Sequence, residues 1–560
     1  MNNRSHLLLI LLWLAIGTSL RFLRLESLPP WTDECATLVF SLGNSFRTVP
    51  LNQIISSDVL LQPLQLNPAS GVNSVLEHLF NESTHPPVYF VLAHFWMKMF
   101  SHPGELASIW VARSLSGFFG VISIPAMFGF GYLTFRSKLI AQMAAAMMAV
   151  SPYTIFLARE ARHYTLVMLL VIASLCCFVK AVEFIYRQKS LPIWLILTWV
   201  AINSLGIATH YFFTFTICSQ AVVLLWQILK KRVSIKLNWQ RLGMSAVGTL
   251  MGFIFWIPTL QRIPGSDLTS WVTSSNSYTI WLEPLGRLIL WITSMLLLLP
   301  SAPTILPSLI IIISGIATLL FLVWSLPHLI DGLKQMQQQD ADTDLAVRIF
   351  REYLFSAIAL CLFFTYILRK DLTLAARFQF IYAPVVILLV AVALAGCWQR
   401  KQNQHRFRLS VNGKVAVLII WLMAAVGNIT VAWNLGYLQN QRPDILADII
   451  HQVSPNKVLI ATTHLHHGQT GRMMGLAWEL RHSPNSNLQF FLARKSPESQ
   501  ISDQAVKILQ EELTKIPRPF DFWLVGFRNQ IDLDSQQCIR DQQHGSFAGE
   551  YSYKIYRCGG

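Results

Sequence analysis

Residues 107–135 read ASIWVARSLSGFFGVISIPAMFGFGYLTF, and after the short basic step Arg136-Ser137-Lys138, residues 139–155 read LIAQMAAAMMAVSPYTI. Two apolar runs divided by one tight polar turn leave neither of them a broad water-exposed face. An α-helix needs about 20 mostly apolar residues to cross a bilayer. Leu7–Leu20, Leu306–Val323 and Ala383–Gly396 repeat the pattern. Of the 560 residues, 53% are apolar and 13% charged, whereas an ordinary soluble protein carries about 25% charged. The chain reads as a polytopic α-helical membrane protein.

The first run is retained as a signal-anchor rather than cleaved, because Arg21-Phe22-Leu23-Arg24 stands where small residues would mark a cleavage site. The net charge of +15 does not imply nucleic acid, since the basic residues gather in short loops between apolar runs. Lys230-Lys231-Arg232 with Lys236, and Arg400-Lys401 with Arg406, Arg408 and Lys414, are the strongest such loops; Arg136 with Lys138 and Arg187 with Lys189 are weaker. Placing all four in the cytoplasm threads about eleven spans, near 7–23, 106–134, 138–157, 163–183, 192–209, 211–229, 244–262, 305–326, 353–369, 378–398 and 415–435. Pro86–Phe100 and Leu285–Leu299 are then read as helices at the outer surface. The odd number of spans puts the tail outside.

Domain organisation follows from this threading: a transmembrane unit over 1–438 and an extracytoplasmic α/β unit over 439–560. In the tail, Asp444–Val453, Gly471–Arg481 and Asp503–Ile516 have helical spacing, and Lys457–Ala461, Leu488–Leu492 and Phe522–Val525 are strand-like. Such alternation suggests a small parallel-type sheet. It carries no G-x-G-x-x-G loop, so nucleotide binding has no support. Of eight cysteines, Cys538 and Cys558 lie in this tail and can pair if it is extracytoplasmic. Thr463-His464-Leu465-His466-His467 lacks metal-ligand spacing and reads as a polar loop.

Chemically useful residues fall at the outer ends of the spans. Asp33-Glu34 follows the first span; the bland alternative is a solvated acid pair. His85-Pro86-Pro87 opens a surface helix, where the prolines suit a first turn and His85 is left over. Arg159-Glu160-Ala161-Arg162-His163-Tyr164 sits between two spans; ionisable groups at such a depth are functional candidates, with a self-neutralised headgroup cluster as the alternative. Thr209-His210-Tyr211 lies at a tight outer turn, where an aromatic belt would also place it. Arg377 stands at the outer entry to a later span, able to hold a lipid phosphate or merely to anchor in headgroups. The threading was set by the basic loops alone, yet all five clusters reach one face. That is the requirement of a membrane enzyme with an extracytoplasmic site.

The order Trp31-x-Asp33-Glu34, His85-Pro86-Pro87, Arg113-Ser114-Leu115, Ser151-Pro152, Glu160-Ala161-Arg162-x-Tyr164, Thr209-His210-Tyr211 and Arg377 resembles the family 39 glycosyltransferases of the GT-C fold. These include the protein O-mannosyltransferases and, close by, the aminoarabinose transferases. The likeness runs over residues 7–435. It implies transfer of a sugar from a polyprenyl-phosphate donor to a hydroxyl on a lipid, polysaccharide or protein, with inversion. On that model Asp33 is the general base, while Glu34 and Glu160 orient the acceptor or hold a divalent cation such as magnesium or manganese. Arg162 and Arg377 neutralise the leaving phosphate; His85, Tyr164, His210 and Tyr211 line the substrate site. A transporter or lipid flippase would show paired halves with helices broken at mid-membrane, and no such repeat is visible. A scaffold acting through its tail would leave the polar clusters unexplained.

Overall fold

In the computed structural model, the apolar runs form helices whose side chains face one another or nothing at all. The structure describes residues 3–102, 104–230, 238–262, 272, 281–400, 411–481, 488–495, 499–527 and 531–559. Lys231, Arg232 and Lys236, and Lys401, Arg406 and Arg408, of the two strongest basic loops lie outside the described residues.

Five described helices are long and apolar enough to cross a membrane: Arg4–Phe22, Ile109–Phe135, Tyr164–Tyr186, Ser308–Gln339 and Gly413–Ala432. Lys138–Val150 and Pro152–Ala158 make a sixth if the pair, bent by 56°, is one span. Ile193–Ile207, Phe213–Leu229 and Ala383–Gln399 are apolar but shorter. Each segment expected to span coincides with helix. Ser308–Gln339 leaves Leu309, Ile312, Leu320 and Val323 exposed along its length. An apolar surface of this kind is at home only in lipid. The protein is a polytopic helical membrane protein. Val88–Phe100 buries Tyr89, Phe90, Ala93 and Met97 and exposes Leu92, Phe95, Met99 and Phe100.

The bend at Ser151-Pro152 has a definite cause. Pro152 has no N–H to offer the Met148 carbonyl. Arg21 of the first span takes over that role, donating from Nη2 to Met148 O at 2.9 Å and from Nη1 to Ala149 O at 3.2 Å. Asn428 Nδ2 donates to Val150 O at 2.7 Å. Two other helices thus satisfy the carbonyls that the break exposes. Beyond the break, Pro152–Ala158 ends at the turn 159–163, which carries the Arg-Glu-Ala-Arg-His cluster.

The tail folds on a sheet ordered β1 (Ile54–Ser56), β3 (Leu488–Arg494), β2 (Lys457–His464), β4 (Phe520–Val525), β7 (Tyr551–Cys558) and β5 (Cys538–Arg540), with β6 (Phe547–Ala548) pairing β7. β2, β3 and β4 are parallel, joined by the helices His467–Leu480 and Ser499–Lys515. β7 adds antiparallel to β4, followed by β5. A disulfide joins Cys538 to Cys558. The sheet is not made by the tail alone: β1, from the long loop after the first span, pairs antiparallel with β3. That strand was not apparent in the sequence.

Replacing Arg21 by Met takes the guanidinium away from the Met148 and Ala149 carbonyls in an apolar interior, leaving Met148 O only the longer contact from the Thr154 hydroxyl at 3.4 Å. The expected cost is roughly 2 kcal/mol of stability, measured as a lower thermal midpoint in detergent; an unchanged midpoint would remove Arg21 from this role.

Candidate active site

Asp33 and Glu34 occupy the first turn of the helix Thr32–Ser41, where the helix dipole favours negative charge. Helical geometry turns adjacent residues about 100° apart, so the two carboxylates meet different surroundings. Glu34 is fully buried and Asp33 is 32% exposed at its side chain.

Glu34 forms a two-pronged ion pair with Arg113 of Ile109–Phe135: Nε to Oε1 at 2.8 Å and Nη2 to Oε2 at 2.7 Å. The other Arg113 donors reach the carbonyls of Leu25 and Leu28 at 2.9 Å and of Pro29 at 3.3 Å. Glu34 also accepts from the Ala161 N–H at 2.7 Å and the Trp31 N–H at 3.4 Å. A carboxylate so engaged is a fastener. Glu34, expected from the sequence to act on substrate or hold a cation, has its lone pairs facing Arg113 and two backbone N–H groups. Among the described residues no group of three His, Cys, Asp or Glu side chains is placed to hold a metal. Glu160, the other expected cation ligand, instead accepts from Asn440 Nδ2.

Asp33 lies in the opposite kind of setting. Its carboxylate is 3.9 Å from Arg162 Nη2 and 3.7 Å from Arg377 Nη2. Arg162 is buried and held by the Asp33 carbonyl and the Thr37 hydroxyl, both at 2.9 Å from Nη1. His85 Nε2 lies 3.1 Å from Arg162 Nη2, and its Nδ1 lies 2.9 Å from the Ser83 hydroxyl. Burial, then the nearby Arg162 charge, hold the His85 imidazole well below its usual range, so it is neutral and its Nε2 accepts from the guanidinium. Arg377 sits on the short 3₁₀ turn Ala376–Ile381, 5.0 Å over the Trp31 ring. Two guanidiniums flank this carboxylate, an arrangement suited to an anion.

The aromatic surround includes Tyr164, beneath Arg162 at 5.8 Å, and His210, 4.6 Å from His163 and 5.2 Å from Phe380. The Tyr211 ring lies tilted against Trp256, with 6.1 Å between centroids. His163, given no role in the sequence reading, is buried 6.0 Å from His85. The tail also reaches the site: His467 stacks on Phe46 at 4.9 Å and meets Phe40 of the Asp33 helix edge-on at 5.7 Å. Burial lowers this histidine to about 3. The histidine run is thus packing for the helix that bears Asp33 rather than a polar loop. Its helix lies so close that a Cβ on Gly475 would overlap the Pro30 carbonyl.

Residues 95–265, under half of the chain, match the family model described as dolichyl-phosphate-mannose-protein mannosyltransferase. That stretch holds Arg113, Glu160, Arg162, Tyr164 and His210; Asp33, His85 and Arg377 lie outside it. The match agrees with the motif order. The chain is a membrane glycosyltransferase. Over that stretch it resembles the protein O-mannosyltransferases.

No curated protein sequence matches the chain significantly. Among solved structures it is similar at 12% identity to ArnT from Cupriavidus metallidurans bound to undecaprenyl phosphate, with a TM-score of 0.47, covering 98% of this chain and 99% of that one. The Pmt1–Pmt2 complex of S. cerevisiae bound to the sugar donor overlaps at 14% identity and TM-score 0.31, over 47% of this chain and 34% of that one. Archaeoglobus fulgidus AglB, in complex with an inhibitory peptide and a dolichol-phosphate, overlaps at 11% and 0.41, over 84% and 64%. Overlaps this loose carry neither fold nor chemistry.

Glu160, in the turn between two helices, supplies a pH signature. Burial, reinforced by the charge of Glu34, raises its carboxyl from 4.5 to about 8. The folded protein therefore holds a proton that the unfolded chain gives up, and stability falls as pH rises from about 4.5 through about 8. Glu160→Gln should flatten that slope in thermal midpoints measured from about pH 5 to about pH 9. A variant with the wild-type slope would place the titration elsewhere.

Proposed function

We propose that this chain moves a sugar from a polyprenyl-phosphate carrier to an acceptor hydroxyl at the extracytoplasmic membrane surface, with Asp33 as general base. The observation that carries the reading is the Asp33 carboxylate set 3.7 Å and 3.9 Å from two guanidiniums. It is open enough to meet a substrate, and it stands beside groups that hold a phosphate by paired hydrogen bonds.

The reaction follows from those positions. Asp33 takes the proton of the acceptor hydroxyl as its oxygen attacks the anomeric carbon. The bond from that carbon to the phosphate oxygen breaks, and both its electrons leave with the polyprenyl phosphate. Arg162 and Arg377 stabilise the charge that gathers on the leaving group, a larger effect in a site shielded from water. Neutral His85 fixes the Arg162 fork, and Tyr164 supports it from below. One displacement inverts the anomeric centre. Asp33 is reset by losing its proton to solvent.

Two observations support the extracytoplasmic side. The basic loops read as cytoplasmic place the Asp33 and Arg377 segments on the opposite face. The tail that packs on the Asp33 helix carries the Cys538–Cys558 disulfide, a bond that persists in oxidising compartments. The polyprenyl carrier is supported by the family match, whose description is of a dolichyl-phosphate-sugar enzyme. The acceptor is a hydroxyl of a lipid, polysaccharide or protein.

The test is transfer of radiolabelled sugar from a synthetic polyprenyl-phosphate donor by full-length protein in detergent. Asp33→Asn is expected to lose at least about 100-fold in transfer, the usual scale for a general base, while still binding donor. Arg377→Ala should weaken donor binding by more than about tenfold, through loss of a charge-assisted contact. Wild-type turnover in Asp33→Asn would overturn the base assignment.

A further inference from the structure

Buried polar atoms without a hydrogen-bond partner are few in a native fold, and each calls for a ligand, a water or a functional reason. Three of them belong to residues that meet at one place. Trp31 Nε1, Glu160 Oε2 and Arg442 Nη1 have no partner among the described residues. All three side chains line a single cavity of about 60 Å³. Trp31, Glu160 and Arg442 are 7%, 5% and 7% exposed, so these atoms are withheld from bulk water.

The cavity is built from separate parts of the chain. The loop after the first span gives one wall, the turn at Arg159-Glu160 another, and the linker into the tail, with Asn440 and Gln441, a third. The Glu34–Arg113 pair also contributes to its lining. Trp31 is common to this cavity and to the Asp33 site, because the Arg377 guanidinium lies over its ring. The two sites therefore adjoin.

The unpartnered atoms complement an alcohol. A hydroxyl offers two lone pairs and one proton. The indole and guanidinium N–H groups donate to the lone pairs of one hydroxyl, and the Glu160 carboxyl, whose Oε1 already accepts from Asn440, presents its Oε2–H to a neighbouring one. Burial keeps Glu160 protonated near neutral pH, so the cavity gains no uncompensated carboxylate charge. The carboxamides of Asn440 and Gln441 offer planar polar groups to neighbouring hydroxyls.

We propose that this cavity receives a hydroxyl-bearing edge of a carbohydrate acceptor, beside Asp33. The proposal rests on the reading of Asp33 as the base and narrows its acceptor to a saccharide. A peptide acceptor is disfavoured by the architecture. Extended peptides are commonly held by main-chain pairing to a sheet edge, and these walls are loops and a linker that present side chains.

Saturation-transfer NMR on the full-length protein in detergent, with a mannose trisaccharide and a Ser/Thr-rich hexapeptide as probes, tests the idea alongside the transfer assay. The trisaccharide is expected to bind and to accept label, and the peptide to do neither. Trp31→Phe, which keeps the ring under Arg377 but deletes the N–H, and Glu160→Ala should each weaken saccharide binding at least fivefold and leave the donor KM in place. Asp33→Asn should bind the trisaccharide normally while failing to transfer. Peptide binding in place of saccharide, no saccharide binding, or binding unmoved by both variants would overturn the cavity's role. Saccharide binding that depends on Trp31 and Glu160, without label transfer from any donor, would sustain the cavity and bring down the transfer reading alone.

Discussion

The buried pair between Glu34 and Arg113 is the joint on which the site depends. Arg113 has five N–H donors in a fixed fork, and the contacts to Glu34, Leu25, Leu28 and Pro29 engage all of its nitrogens. One guanidinium thus ties the first-span exit loop to the second membrane helix, and Glu34 extends the tie to the turn at Ala161. Because Asp33 is the neighbour of Glu34 on the same helical turn, fastening one carboxylate aims the other. Burying two charges is costly, and such pairs stabilise only when further hydrogen bonds complete them; here they do.

A second constraint operates one helix further on. The Ser151-Pro152 break sends the chain sharply into the turn that carries Glu160 and Arg162, and Arg21 and Asn428 satisfy the carbonyls that the break uncovers. The guanidinium pair follows. Arg162 arrives from this turn, Arg377 from a short 3₁₀ turn, and His85 from the outer loop, all around a single partly open carboxylate. The tail completes the enclosure from the other side, with His467 on Phe40 and Gln441 accepting from the Thr32 hydroxyl and, at 3.3 Å, from its N–H.

Much of this was legible in the primary structure, for physical reasons. Apolar runs near 20 residues have few alternatives to a membrane helix, so the spans were readable. Asp33, His85, Arg162 and Arg377 stood out as costly groups at membrane boundaries, and the structure brings them together. The division of labour between Asp33 and Glu34 was not readable, because it depends on which face of one turn meets Arg113, 79 residues away. The pairing of Ile54–Ser56 with β3 is equally non-local, and three residues carry too little pattern to announce a strand. His467 was passed over because its partners, Phe40 and Phe46, lie in another part of the chain.

On the proposed reaction the two adjacent carboxylates do different work, Glu34 structural and Asp33 chemical. The most direct test of that division is the unfolding free energy of Glu34→Gln set beside that of Asp33→Asn, in the same detergent. Removing one member of a buried, hydrogen-bonded pair costs about 3–5 kcal/mol, so Glu34→Gln should be strongly destabilised. Asp33→Asn, losing only partly exposed contacts, should stay within about 1 kcal/mol of wild type. Equal losses, or a larger one at Asp33, would contradict the account.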